Sequence, residues 1–251
     1  MSIMIILKNK TEMEAMREAG RIAAGALRAG CEAVEPGVSS REIDRIIHRY
    51  LTQHGAKPSF LGYGGFPASA CISVNDEVIH GIPSDRLIAE GDIVSIDVGA
   101  LVGGYHGDNA ATVAAGKIGE RAQRLLDTTR ESLYEAIKVA KAGARVGDIG
   151  SAVQSFCEAR GYGVVRKYVG HGVGRDLHEA PDVPNFGTTG RGVRLLPGMT
   201  IAIEPMINEK GFDVKVLAND WTVVTVDGGL SAHFEHTIAI TDNGPVILTT
   251  P

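Results

Sequence analysis

The chain has 251 residues, of which 44% are hydrophobic and 22% are charged, and its formal net charge is −5 at pH 7. These ordinary globular values exclude extensive disorder, and the mildly acidic balance argues against a dedicated nucleic-acid-binding protein. The three cysteines are far apart, and no apolar run is long enough to span a membrane. We therefore expect a cytoplasmic protein without a disulfide framework.

The first part of the chain predicts two helices followed by strands. Residues 12–30 carry apolar side chains at helical spacing. Ser39 and Glu42 predict a capping box at the start of a second helix. Residues 72–115 contain apolar stretches separated by glycine-rich turns, a pattern typical of strands.

The second part of the chain predicts the same order of elements. Residues 120–141 and 148–160 form another predicted helical pair, with Asp148 as the cap of the second helix. Residues 162–250 again contain short strands and turns. No linker or low-complexity stretch divides the chain, so we predict one domain over residues 1–251.

Short motifs that recur in the same order indicate an internal repeat. The apolar strand that contains Asp97 aligns with the one that precedes Glu204. His106-Gly-Asp108 likewise resembles His233-Phe-Glu235. The predicted pseudo-repeats run roughly over residues 12–115 and 120–245.

These motifs place carboxylates within or beside apolar strands. An ionised carboxylate inside a sheet is costly unless it is paired or bound to a metal. Any one of them alone is more often the solvent-facing residue of an alternating strand. Two equivalent halves would, however, bring four of them toward a common axis: Asp97, Asp108, Glu204 and Glu235.

Four carboxylates in one pocket would repel one another strongly without cations. Two divalent ions would neutralise the cluster, and His171, between glycines, is a candidate nitrogen ligand. This donor set favours Mn, Fe, Co or Zn over copper. Such a centre polarises a carbonyl and activates water, which is the chemistry of amide hydrolysis. His80 and His178, each in a His-x-x-Pro motif, could assist this chemistry or be ordinary turn residues.

Motifs along nearly the whole chain resemble the type I methionine aminopeptidases. The matching segments are Met16–Arg21, Pro58–Tyr63, Cys71–Asn75, His80–Pro83, Gly91–Asp97, His106–Asp108, Gly170–Gly174, Pro197–Met199, Ile203–Pro205 and Glu235–Thr237. The resemblance is to the bacterial type, without the N-terminal zinc-binding extension of eukaryotic members. It implies the α+β pita-bread fold, in which helix pairs pack with pseudo-twofold symmetry on a curved, mainly antiparallel sheet.

The resemblance implies a metal and catalytic role for seven residues. The implied metal ligands are Asp97, Asp108, His171, Glu204 and Glu235, with Asp108 and Glu235 bridging two ions (Co, Mn, Fe or Zn). Glu204 would also be the general base. His80 and His178 would contact the scissile peptide and help to transfer protons.

The resemblance also implies a substrate pocket and a second ion site. The implied pocket residues are Tyr63, Phe66, Cys71, His80, His178 and Trp221. Asn75 and Ser231 match positions that bind a monovalent cation, Na or K, in some relatives. Gly64 and Leu177 replace the His and Phe of many bacterial relatives, which leaves the detailed side-chain preference open.

The family removes the initiator methionine from new polypeptides when the following residue is small, and we expect this activity here. The expected partners are the N-termini of nascent chains, with transient ribosome contact, no membrane, no dedicated nucleic-acid binding and a monomeric protein. Alternatives are a proline-specific peptidase of the same superfamily, which usually has a large N-terminal domain, or a catalytically inactive pita-bread protein that binds protein or RNA. A third alternative is a protein that binds metal without cleaving peptides.

Overall fold

The structure, a computed structural model, describes residues 4–250; residues 1–3 and 251, which the predicted domain includes, lie outside this range. The helices described are α1 (Lys10–Glu32), α2 (Ser40–Gln53), α3 (Glu120–Val139) and α4 (Val146–Glu158). The strands are β1 (Lys57–Pro58), β2 (Ala70–Val74), β3 (Glu77–Ile79), β4 (Ile93–Val102), β5 (Tyr105–Ala114), β6 (Gly163–Val164), β7 (Gly170–Gly172), β8 (Glu179–Val183), β9 (Thr200–Ile203), β10 (Met206–Asn208), β11 (Val214–Val216), β12 (Val223–Thr225), β13 (Ser231–His233), β14 (Glu235–Thr241) and β15 (Gly244–Ile247).

A nine-stranded antiparallel sheet organises the molecule. Its main order is β1-β4-β5-β14-β9-β7-β8, with β2 paired to β4 and β15 paired to β14. Two three-stranded sheets, β13-β10-β6 and β11-β12-β3, flank it. The predicted α+β class with a mainly antiparallel sheet is therefore confirmed.

The helix pairs support two separate hydrophobic cores. One core joins α1 and α2 to β2 and β4 through side chains such as Ile43, Ile47 and Ile96. The other joins α3 and α4 to the later strands through side chains such as Leu125 and Ile201. Each fully buried Ile or Leu stabilises the fold by about 1.5–3 kcal/mol. The two cores largely divide the interior between the two halves of the chain.

A glycine contact brings α1 close to the strand that carries Asp108. A Cβ atom on Gly107 would lie 2.5 Å from the backbone nitrogen of Gly20, so only glycine fits at this crossing. The backbone of α1 therefore rests directly on β5. This close approach fixes the position of β5 beneath the helix.

The structure corrects the predicted cap of α4. Asp148 is not the N-cap residue; Arg145 is, and the Asp148 carboxylate accepts the backbone N–H of Arg145 at 2.7 Å. The helix begins earlier than predicted because an isolated bridge to Arg194 holds the backbone of Arg145 extended. A contact 49 residues away in sequence, which no local pattern reveals, thus sets this boundary.

The predicted capping box of α2 forms only in part. Ser39 is the N-cap, and its side chain accepts the backbone N–H of Glu42 at 3.2 Å. The Glu42 carboxylate instead accepts a hydrogen bond from Arg45 at 3.2 Å. A complete box occurs at α1, where Asn9 and Glu12 exchange both hydrogen bonds, and the sequence analysis missed it.

The described residues also bear on the disulfide and membrane expectations. Cys31, Cys71 and Cys157 are all free thiols. Burial raises the pKa of Cys31 to about 12 and that of Cys157 to about 11, so both stay protonated at neutral pH. Between residues 4 and 250, no helix combines the length and the apolar character that crossing a bilayer requires.

Candidate metal centre

Five neighbouring strands of the large sheet supply one predicted metal ligand each. In sheet order, these are Asp97 on β4, Asp108 on β5, Glu235 on β14, Glu204 directly after β9, and His171 on β7. The order of the strands differs from their order in the chain, so residues that are distant in sequence become neighbours. All five side chains line the same pocket.

The strand register explains how three of the carboxylates converge. Asp97 and Glu235 are both paired with Ala110, one on each side of it. Directly paired residues in antiparallel strands point to the same face, and Asp108 shares that face because it lies two residues before Ala110. The side chain of Ala110 therefore lies between the carboxylates of Asp97 and Glu235. Because it is only a methyl group, space remains between these two carboxylates.

The ligand atoms lie at separations that suit a shared ion. Asp108, His171 and Glu235 each offer one atom within 4.8 Å of the other two. His171 Nε2 lies 3.9 Å from Asp108 Oδ2 and 3.5 Å from Glu204 Oε1. Two atoms that each lie about 2 Å from one ion are roughly 3–4 Å apart. His171 Nδ1 contacts the carbonyl of Gly172 at 2.8 Å, which directs Nε2 toward the carboxylates.

Burial and repulsion shift the ionisation of the whole cluster. Burial raises the pKa of Asp108 to about 7. Burial and then the neighbouring carboxylates raise the pKa values of Asp97, Glu204 and Glu235 well above the usual range. Burial lowers the pKa of His171 to about 4, so its imidazole is neutral at pH 7.

The cluster has unmet polar groups that a cation would satisfy. Asp97 Oδ1, Asp108 Oδ1 and Glu235 Oε1 are buried and have no hydrogen-bond partner within the described residues. Such groups are costly unless they are paired or bound to a metal. Four carboxylates and a neutral imidazole form a donor set for hard or borderline divalent ions. The residues present thus fit a divalent metal centre.

Two threonines hold the central strands together behind the carboxylates. The Thr237 hydroxyl accepts the backbone N–H of Asp108 at 3.1 Å and donates to its carbonyl at 2.8 Å. The Thr112 hydroxyl makes the same two contacts with the backbone of His233, both at 2.9 Å. The Thr237 bonds fix β5 against β14, and the Thr112 bonds fix β5 against β13. Neither threonine was predicted from the sequence to belong to the site.

His233 is a further polar residue that the sequence analysis did not place in the site. Its side chain is buried, and Nε2 lies 3.9 Å from Glu204 Oε2 without a hydrogen-bond partner within residues 4–250. Burial lowers its pKa to about 3, so the ring is neutral. The sequence signal for His233 is the similarity of His233-Phe-Glu235 to His106-Gly-Asp108.

An apolar pocket of about 240 Å³ opens beside the carboxylates. All six residues predicted to line it do so: Tyr63, Phe66, Cys71, His80, His178 and Trp221. Cys71 is paired with Asp97 across β2 and β4, so the apolar wall directly adjoins the carboxylates. The lining also includes four residues that the sequence analysis did not assign to it: Phe60, Ile79, Tyr168 and Val169.

His80 and His178 line the pocket, and contacts with neighbouring residues restrict the orientation of both rings. His178 Nδ1 is 2.7 Å from the Tyr63 hydroxyl, and its ring centroid is 4.1 Å from that of His171. His80 has a φ of 57°, a conformation that costs about 1–3 kcal/mol outside glycine. Its ring meets Tyr168 edge-on at 5.7 Å, and burial lowers its pKa to about 4. A neutral His80 is therefore held facing the pocket.

The residues of the predicted monovalent site lie together but outside this pocket. The backbone N–H of Ser231 donates to the carbonyl of Asn75 at 2.8 Å. The Asn75 side chain donates to Asp92 at 2.8 Å, and the Ser231 hydroxyl donates to Asn208 at 2.9 Å. Binding of Na or K here stays a prediction.

Replacing Ala110 by Val should weaken metal binding while the fold is kept. The two added methyl groups would occupy the space between Asp97 and Glu235, and we expect Mn(II) affinity to fall by about 10- to 100-fold, as for other changes next to metal ligands. Calorimetric titration with MnCl₂ measures this. The control is Ala111→Val, whose side chain points to the other face; equal losses in both variants would contradict the assigned geometry.

The sequence profile described as metallopeptidase family M24 matches residues 14–242. The chain therefore belongs to metallopeptidase family M24. A relative from Clostridium acetobutylicum named methionine aminopeptidase is 52% identical, over 98% of this chain and 99% of its own length. The crystal structure of a methionine aminopeptidase from Thermotoga maritima superposes with a TM-score of 0.97 at 47% identity and covers 99% of this chain and 100% of that one.

A prolidase is a more distant structural relative. The prolidase from Pyrococcus furiosus superposes with a TM-score of 0.81 at 28% identity, over 98% of this chain but only 66% of the prolidase. The pita-bread fold is thus shared with proline-specific enzymes. The methionine aminopeptidases have the higher sequence identity, and their alignments cover nearly all of both chains.

Proposed function

We propose that the chain is a methionine aminopeptidase, which hydrolyses the peptide bond after an N-terminal methionine when the second residue is small. The observation that carries this proposal is the placement of four carboxylates and one histidine on, or directly after, five adjacent strands, beside an apolar pocket of about 240 Å³. The identity of 52% to a methionine aminopeptidase over nearly the full length of both chains supports it.

In the proposed centre, two divalent ions would be held by Asp97, Asp108, His171, Glu204 and Glu235. Such ions supply a Lewis acid for the peptide carbonyl and lower the pKa of water. The charge of the cluster supports two ions, since four ionised carboxylates balance the charge of two divalent cations. Co, Mn, Fe and Zn all suit these donors.

Glu204 is the proposed general base. Its carboxylate lies next to His171 and His233, at 3.5 Å and 3.9 Å, in a buried part of the pocket. A carboxylate positioned beside the reacting water can accept its proton. Glu204 takes a proton from the attacking water and returns it to the leaving amine.

His80 and His178 are the proposed contacts to the scissile peptide. Both line the pocket, and the Tyr63 hydroxyl orients His178 through Nδ1. Both pKa values are lowered by burial, so the rings act as neutral hydrogen-bonding groups at pH 7. They position the peptide group next to the Glu204 carboxylate.

The apolar part of the pocket is the proposed site for the methionine side chain. Phe66 and Cys71 are buried in a small cluster with Leu177, and Trp221 packs edge-on against Phe66 at 5.1 Å. An unbranched thioether suits such an aromatic-lined pocket. Action on nascent chains in the cytoplasm, as a monomer with transient ribosome contact, completes the proposal.

A peptide panel with metal-loaded protein tests the proposed function. The metal-free protein is reconstituted with Mn(II) or Co(II) and assayed on Met-Ala-Ser, Met-Phe-Ser, Leu-Ala-Ser and Ala-Pro-Ser. We expect methionine release from Met-Ala-Ser and little turnover of the other three. Preferred cleavage of Ala-Pro-Ser would instead identify a proline-specific peptidase, and metal binding without any cleavage would overturn an enzymatic function.

Replacing His80 by Ala should lower kcat by about 10² to 10⁴-fold while metal binding is retained. The expected loss is that of a positioned group that bonds to the reacting peptide. Steady-state kinetics on Met-Ala-Ser and a Mn(II) titration of the same sample measure both effects. If the variant loses its metal instead, His80 would have to be reassigned as a metal ligand.

A further inference from the structure

A buried ion pair connects the segment before α1 to the strand that follows His178. Lys8 Nζ pairs with Glu179 Oε2, and the two side chains are only 3% and 5% exposed. Replacing a buried ion pair by apolar residues is often neutral or stabilising, so its burial is weak support for a role in stability. The proposed mechanism uses neither residue.

Glu179 closes the loop that carries His178. Its Oε1 atom accepts the backbone N–H of Arg175 at 2.8 Å, so residues 175–179 form one closed turn. Gly174 leaves room for this arrangement, because a Cβ atom there would lie 2.2 Å from Glu179 Oε1 and 2.6 Å from Lys8 Cε. The turn is thus built around the ion pair.

The position of Lys8 is fixed independently of Glu179. Its backbone N–H donates to the carbonyl of Gly198 at 2.7 Å, and Nζ also donates to the carbonyl of Ile6 at 3.2 Å. Gly198 precedes β9, the strand that leads to Glu204. Lys8 therefore connects the His178 loop to the same sheet region that presents the proposed general base.

A second contact reaches the same loop from α1 but is exposed. The Arg175 guanidinium lies 3.8 Å from Glu12 Oε1 and 4.4 Å above the Tyr105 ring. An exposed pair of this kind contributes about 0–1 kcal/mol. The buried contact of Lys8 is therefore the stronger restraint on the loop.

We infer that Lys8 is a positioning residue whose buried ion pair with Glu179 fixes the 175–179 loop so that His178 faces the bound peptide. This inference rests on the proposed function, because it assigns His178 a contact with substrate. His178 is held from two sides: by the loop backbone and by the Tyr63 hydroxyl at 2.7 Å. The segment before α1 thereby becomes part of the active-site structure.

Two substitutions separate positioning from general stability. Lys8→Met keeps the apolar stem and removes the ammonium group, which leaves Glu179 unpaired. The double variant, Lys8→Met with Glu179→Gln, removes both charges and keeps an oxygen that accepts the Arg175 N–H. If Lys8→Met alone does not fold, the double variant provides the test. Lys10→Met, which removes an exposed ammonium from the first residue of α1, is the matched control.

Kinetics of the Mn(II)-loaded proteins on Met-Ala-Ser form the first arm of the test. We expect Lys8→Met and the double variant to lower kcat at least tenfold, with KM and the bound Mn(II) changed less than threefold, and Lys10→Met to match the unsubstituted protein. In a His178→Ala background, Lys8→Met should lower kcat by less than a further twofold. Unchanged kcat in the double variant, or an undiminished loss in the His178→Ala background, would overturn the inference.

Amide hydrogen exchange of the metal-free proteins forms the second arm and needs no activity. Exchange over residues 170–180 should be faster in Lys8→Met than in Lys10→Met, with exchange in α3 unchanged. Equal exchange in both variants would overturn the inference. If the unsubstituted protein cleaves no methionyl peptide, the proposed function fails by itself, and the exchange arm still decides whether Lys8 orders the loop.

Discussion

Replacing Asp108 or Glu235 by Ala is expected to abolish methionine release and tight divalent-metal binding together. Each carboxylate is proposed to contact both ions, so its loss removes one charge and one bridge. If metal chemistry supplies about 4 kcal/mol of transition-state stabilisation, kcat/KM falls by about 10³-fold or more. Steady-state kinetics on Met-Ala-Ser and calorimetric titration with MnCl₂ measure the two losses on one sample.

The control for these variants is Asp182→Ala, which removes an exposed carboxylate from β8 of the same sheet. It should keep both metal binding and turnover. Unfolding does not explain the expected losses, because the metal-free Asp108→Ala protein lacks one buried, unsatisfied carboxylate and should be at least as stable as the metal-free parent. Parental turnover in Asp108→Ala or Glu235→Ala would contradict the proposed ligand set.

The metal-free protein should lose stability as the pH rises from 6.5 to 8. Burial raises the pKa of Asp108 to about 7 and those of Asp97, Glu204 and Glu235 further above their usual values. The folded state then binds protons that the unfolded state has already released, so stability falls with rising pH. Each proton that the folded state retains across this window contributes about 2 kcal/mol to the loss.

The comparison starts at pH 6.5 because, at lower pH, the buried histidines make folding stability increase with pH, which opposes the effect of the carboxylates. Burial lowers the pKa values of His80, His171 and His233, so the unfolded state binds more protons there and stability increases with pH. Urea unfolding in EDTA at pH 6.5 and pH 8 measures the effect, and saturating MnCl₂ should largely remove it. Metal-free stability that is constant or rises over this window would contradict the buried carboxylate cluster.

Local sequence patterns were sufficient to predict the four helices and to single out the residues of the proposed metal centre. The apolar spacing of Ile43 and Ile47 reflects one buried face of α2, and such periodicity needs no knowledge of distant contacts. Asp97 stood out because a carboxylate is unusual within an apolar strand, and β4 is in fact buried along most of its length. The predicted internal repeat then grouped four carboxylates into one proposed centre.

Features that depend on distant contacts could not be predicted in the same way. The start of α4 depends on the bridge between Arg145 and Arg194, and local pattern reasoning chose Asp148 instead. The pairing of Lys8 with Glu179 joins residues 171 positions apart, and neither residue is unusual in its local sequence. The space at Ala110 becomes visible only when β4, β5 and β14 are aligned.

The convergence of five side chains on a pair of metal ions is tested most directly by anomalous diffraction from Mn(II)-loaded crystals. Two anomalous peaks about 3.5–4 Å apart are expected, as in other two-metal sites. Asp108 and Glu235 should contact both peaks, while the remaining ligands, Asp97, His171 and Glu204, contact one or the other. A single ion at these side chains, or manganese bound elsewhere on the molecule, would contradict the proposed centre.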